Sequence, residues 1–191
     1  MSFKITSLGH SCILIETYEG ERLLFDPYLS GNESAVVSPE EIKNIDAILV
    51  SHGAFDHLGD AVPIAKNTGA LLYCGPDVYD YALYHGIKKE QLKMLVWGTC
   101  LQHKNITIRS IEAKHISYFK CGEHKITGIP MSYVVTLEDE TAIYFSGDTS
   151  IFSDMSLFGR LYNVKYGFFG ISGLPGFPYE MDSNEGAMAS S

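Results

Sequence analysis

The chain has 191 residues, 46% of them hydrophobic and 19% charged, with a formal net charge of −9. That composition excludes a disordered polymer and is long enough to bury a sizeable core. No apolar stretch approaches the roughly 20 residues needed to span a bilayer, so no membrane role is expected. The acidic balance, with no basic stripe, counts against nucleic acid as a partner.

The opening segment, MSFKITSLGHSCILIET, alternates with a strand period and lacks the apolar core of a signal peptide. Strands are expected over residues 3–8, 11–17 and 21–27, with Tyr18-Glu19-Gly20 turning the second into the third. A polar loop over 28–40 leads to a strand at 46–52, whose Ala47-Ile48-Leu49-Val50 run reads as buried. Residues 59–69 read as a helix with Asp60 near its start, Pro63 in its first turn and Gly69 past its end. A strand at 71–74 and a helix at 76–86 follow. Beyond them the pattern is rich in strands, expected at 93–98, 105–113, 131–138, 141–147 and 166–172. Residues 137–141 form a turn and residues 150–161 a short helix, and 181–191 open another helix with Asp182 or Ser183 as its cap. This is a single α+β domain over residues 1–191, with helices outside strand-rich halves, and not a doubly wound parallel sheet. The four cysteines, Cys12, Cys74, Cys100 and Cys121, are far apart with no C-x-x-C pair and are read as reduced, which places the chain in the cytoplasm.

One stretch carries chemistry. In ILVSHGAFDHLGD, residues 48–60, His52, Asp56 and His57 follow a buried strand within six residues, and a loop can turn all three toward one small volume. Imidazole nitrogen with carboxylate oxygen suits Zn, Fe or Mn better than magnesium. His115 and Asp148 likewise follow strand patterns, and donors that repeatedly follow strand ends can converge at one sheet edge. His10, in LGHSC, is the first candidate for a substitute ligand. His85, His103 and His124 read as solvated helix-end or turn residues. Cys121 and His124 are spaced as in a zinc knuckle but have no second pair nearby. Trp97, Tyr118, Phe119, Phe177 and Tyr179 sit in or beside loops, and Gly173, Pro175, Gly176 and Pro178 make a turn-rich segment with no context for a phosphate cradle.

At this point the chain resembles the metallo-β-lactamase superfamily, and within it the small cytoplasmic group of metal-dependent hydrolases related to ascorbate-phosphate lactonases. The resemblance rests on ITSLGHSCILIET, LLFDPYLSGN, DAILVSHGAFDHLGDAVPIAKNTGA, EAKHIS, IYFSGDTSIFSDM and GISGLPGFPYEMDSNEGA, in the order the family has them. It implies a four-layer αββα sandwich with one or two divalent ions, zinc first and Mn or Fe next. His52, Asp56, His57, His115 and Asp148 match the metal ligands, Asp148 as the carboxylate shared by two ions. Asp56 and Asp148 match the groups that handle the water and its proton. Asp26 matches a carboxylate orienting the ligands from behind, and His10 lies in the same neighbourhood. The implied reaction is hydrolysis of a small ester, lactone or phosphoester by metal-bound hydroxide.

Two departures qualify that reading. The second His of the family's His-x-His-x-Asp-His signature is Ala54, and the final His is missing because the chain stops at Ser191. The first ion then keeps His52, His115 and Asp148, and the second Asp56, His57 and Asp148. The site is degraded, so the alternative is a catalytically impaired member that serves as a binding or regulatory module. A phosphodiesterase or nuclease is disfavoured by the acidic charge. A sandwich lacking its last helix and strand leaves apolar surface and a sheet edge open, which predicts a longer parent protein or a homo-oligomer.

Overall fold

The computed structural model describes residues 2–172 and 179–191, so Gly173, Pro175, Gly176, Phe177 and Pro178 lie outside the described residues. The chain divides into two compact units, one of residues 1–95 with 116–129 and the other of residues 96–115 with 130–191. Elements below are numbered in chain order.

The first unit is built on a six-stranded mixed sheet in the order β1-β2-β3-β4-β5-β6. Its strands are β1 Lys4–Gly9, β2 Cys12–Glu16, β3 Arg22–Phe25, β4 Ala47–Leu49, β5 Leu71–Cys74 and β6 Leu92–Met94. The first three are antiparallel hairpins, and the last three join in parallel. Strands of the parallel half read as unbroken apolar runs because both faces are covered: Ala47, Ile48 and Leu49 are all fully buried. Three helices accompany them, α1 Phe55–Leu58, α2 Ala61–Thr68 and α3 Pro76–Tyr84. Helix α2 buries Ala61, Val62, Ile64 and Ala65 and ends at a left-handed Gly69, whose N–H reaches the Ala65 carbonyl. Helix α3 starts on Pro76, where a missing N–H costs nothing, and buries Asp77, Val78 and Ala82. Burial also pushes the Cys12 and Cys74 thiols up, so both stay neutral core groups.

The second unit carries a five-stranded sheet in the order β13-β12-β11-β8-β7. Its strands are β7 Cys100–His103, β8 Ile106–Glu112, β11 Met131–Thr136, β12 Ala142–Phe145 and β13 Val164–Phe168. All its pairings are antiparallel except β12 with β13. Helix α4 Asp154–Leu161 and helix α5 Ser183–Ala189 belong to this unit. Asp182 caps α5 by accepting from the N–H groups of Asn184 and Glu185. A hairpin of β9 Ser117–Cys121 and β10 His124–Gly128 leaves the second unit's chain and joins the first unit.

The structure corrects several expectations. The segment 93–98 is strand only at its start, because Val96-Trp97-Gly98 turn and the Thr99 N–H bonds back to the Val96 carbonyl. That turn creates β7, which the pattern did not announce, and buries His103 instead of solvating it. The β9–β10 hairpin was not anticipated either. Phe119 is core of the first unit, not a loop aromatic. Cys121 and His124 are direct partners across the hairpin. Asp60 does not cap α2 with its side chain; it accepts from the N–H groups of Leu29 and Ser30 at 2.9 and 2.8 Å and from the Ser30 hydroxyl at 2.7 Å. Residues 55–58, expected as loop, form one helical turn. Among the described residues no helix is long and apolar enough to cross a membrane.

Candidate metal centre

Donors in the first unit gather where β4 ends. The buried strand delivers Ser51 and His52, and the α1 turn then presents Asp56 and His57 side by side in sequence. Asp26 follows β3, the parallel neighbour of β4, with φ of +38°, an unusual backbone for a residue other than glycine. Its place is set by two restraints. The Asp26 N–H bonds the Leu49 carbonyl, and the next residue, Pro27, accepts from the Asp60 N–H. Gly59 must be glycine here, since a Cβ would lie 2.6 Å from the Pro27 carbonyl oxygen.

The Asp26 carboxylate is fully buried and accepts three hydrogen bonds. One oxygen takes the Ser51 N–H at 2.7 Å. The other takes the Ser51 hydroxyl at 2.5 Å and lies 2.7 Å from His57 Nδ1. These contacts decide both tautomers. His57 donates its Nδ1 proton to the carboxylate, which leaves the Nε2 lone pair as its donor atom. Ser51 has spent its proton on Asp26, so its oxygen accepts from His52 Nδ1 at 2.9 Å. His52 is therefore also a Nε2 donor. The two rings are 4.3 Å apart between centroids, and both are buried. A carboxylate behind a histidine is the usual partner of a metal-binding imidazole, because it fixes the ring and raises its basicity.

Asp56 is half-buried, with His10 Nε2 3.6 Å from its Oδ2. Burial pushes its carboxyl up, but a bond from His10 and the charge of His57 outweigh that and hold it below the usual carboxylate range. Ala54 caps the α1 turn through its carbonyl alone, which accepts from His57 and Leu58. It offers no side-chain donor.

Two more of the expected residues lie in the second unit, and the structure brings them together. His115 and Asp148 each follow a strand, β8 and β12, by three residues. Their loops are pinned to one another: the Lys114 N–H bonds Thr149 Oγ1 at 2.8 Å and the Ser150 N–H bonds the Lys114 carbonyl at 3.1 Å. His115 Nδ1 donates to the Tyr179 carbonyl at 3.0 Å, and its Nε2 stands 3.9 Å from Asp148 Oδ2. Gly170 backs this pair, where a Cβ would sit 3.0 Å from an Asp148 oxygen and 2.5 Å from the Gly147 carbonyl. Sequence reasoning missed Ser51, Gly170 and Ser117. The Ser117 hydroxyl accepts the Gly53 N–H at 2.7 Å and donates to the buried carboxylate of Asp77. No signal in the sequence marks a lone serine or glycine for such work.

The chain belongs to the beta-lactamase superfamily, whose domain model matches residues 21–175. Within it, the similar curated proteins are UPF0173 metal-dependent hydrolases. The chain is 40% identical over 164 residues to one from Methanopyrus kandleri, covering 85% of this chain and 69% of that protein. It is 40% identical over 159 residues to another from Thermococcus kodakarensis, covering 83% and 67%. The chain thus spans about two thirds of the length of such relatives. Among solved structures, Igni18, a metallo hydrolase from Ignicoccus hospitalis, superposes with a TM-score of 0.81 at 25% identity, covering 98% of this chain and 77% of that one. The fold is that of a metallo-β-lactamase.

Proposed function

We propose that the chain is a metal-dependent hydrolase acting on a small ester, lactone or phosphoester. His52, Asp56 and His57 in the first unit and His115 and Asp148 in the second are its metal ligands. The observation that carries this reading is the buried Asp26–Ser51–His52–His57 network, which spends three hydrogen bonds and a strained backbone on aiming two imidazoles. The names borne by the relatives support it. A donor set of neutral imidazoles with carboxylates favours zinc, with Mn or Fe as substitutes.

A bound ion would supply an acidified water and polarise the oxygen under attack. The protein's own share is separable. Asp26 keeps the proton of His57 on Nδ1 and so keeps Nε2 basic. Asp56, ionised at neutral pH, would accept a proton from attacking water, and Asp148 is the corresponding carboxylate of the second unit. The substrate is a small molecule; the net charge of −9 disfavours a nucleic acid. The activity is that of a cytoplasmic enzyme. Ala54 favours a second reading, a member with impaired catalysis that binds instead of cleaving.

The test is a panel of aryl esters, lactones and phosphoesters offered to the zinc-loaded and the chelator-stripped protein. Hydrolysis of one class that disappears with the ion is expected, and Ala54→His should raise it and tighten ion retention. Equal rates with and without metal across the panel would leave the binding module as the better account.

A further inference from the structure

We infer that His10 is a metal ligand, closing a three-donor site with Asp56 and His57; this rests on the metal-binding reading above. One ligand atom from each of these residues lies within 4.8 Å of the other two. Ligands held about 2.0–2.1 Å from a tetrahedral zinc stand roughly 3.4 Å apart. The 3.6 Å between His10 Nε2 and Asp56 Oδ2 is close to that edge and at the outer limit of a hydrogen bond. His57 contributes Nε2, because Asp26 holds its other nitrogen.

The backbone supports the same reading. His10 has φ of +52°, a conformation that costs a residue other than glycine or asparagine of the order of 1 kcal/mol. The strain is maintained from outside: the His10 N–H bonds Ser34 Oγ at 3.1 Å, and Ser34 is itself held by Asn32. Gly9 before it has φ of +111°, and a Cβ there would sit 2.3 Å from the Ser34 carbonyl oxygen. The ring is wedged edge-on between Tyr28 and His57, at 5.8 and 5.6 Å between centroids. A half-exposed histidine–aspartate pair alone is worth little and would not repay a strained turn clamped on both sides. With two imidazoles and one carboxylate, the trio leaves a coordination position open, and the 40% exposure of the His10 side chain gives an ion a route in.

The test is zinc titration of the full chain against a chromophoric chelator, with cobalt absorption as a second readout, for the parent, His10→Gly and His10→Asn. Both replacements accept the positive φ, so the metal-free proteins should stay folded, checked by thermal melting. The expected result is at least a tenfold loss of affinity for one equivalent in both variants, with an altered cobalt spectrum. Parent-like affinity and spectrum in both would overturn the assignment of His10 while leaving metal binding intact. A parent that retains no ion would overturn both.

Discussion

Asp26 shows how much of this candidate centre depends on one fully buried carboxylate. Its carboxylate receives one backbone N–H, one hydroxyl and one imidazole N–H, and through them it sets the tautomer of two histidines. Asn in its place keeps the shape and tolerates the positive φ, but its NH2 turns one acceptor into a donor. Asp26→Asn should therefore lower zinc affinity about 10–100-fold, read by chelator competition, and destabilise the fold by about 1–3 kcal/mol. Unchanged affinity would mean that the network is structural only. At this scale the sequence was partly legible. His52, Asp56 and His57 stood out because three donors of the right type fell together, and Asp26 stood out through FDPY. Ser51 did not, because a serine's role as relay depends on where its single proton goes, which only the folded geometry decides. His10 was visible as a histidine, but its strained backbone was not.

Among the elements, the β9–β10 hairpin acts as a clamp on the loop that leads into α1. The Tyr118 N–H bonds the Gly53 carbonyl at 2.8 Å while Ser117 accepts the Gly53 N–H. Asp77 of α3 accepts from Ser117 and packs so closely on Gly128 that a Cβ there would lie 2.0 Å from its carboxyl carbon. Ser117→Ala leaves a buried N–H and a buried carboxylate without this partner, which should cost about 2 kcal/mol or more, measured by denaturant unfolding. A change within about 0.5 kcal/mol would show that the clamp is not needed. The hairpin escaped sequence reading because SYFKC and HKITG carry exposed charged and polar residues that blur the strand period, and because its turn, Gly122-Glu123, is short. The α1 turn escaped for a different reason: four residues are too few to show a helical period. Strands buried on both faces, such as β4 and β5, were the easiest to foresee, since nothing but an apolar run fits there.

At the scale of the whole molecule, composition bounded the answer and order along the chain supplied it. An acidic, moderately apolar chain excluded disorder and counted against a basic binding face, yet many folds share that balance. What distinguished this fold was a series of motifs spread from β1 to α5, most of them placing a donor just beyond a strand. Donors three residues past β4, β8 and β12 are the physical content of that series, because a strand end is where a rigid sheet can hold a side chain in a fixed place. The most direct measurement is the metal content of the chain after chelator stripping, zinc reloading and desalting. About one to two equivalents are predicted, consistent with the donors described. A reloaded, folded chain that carries none would contradict the account at its root.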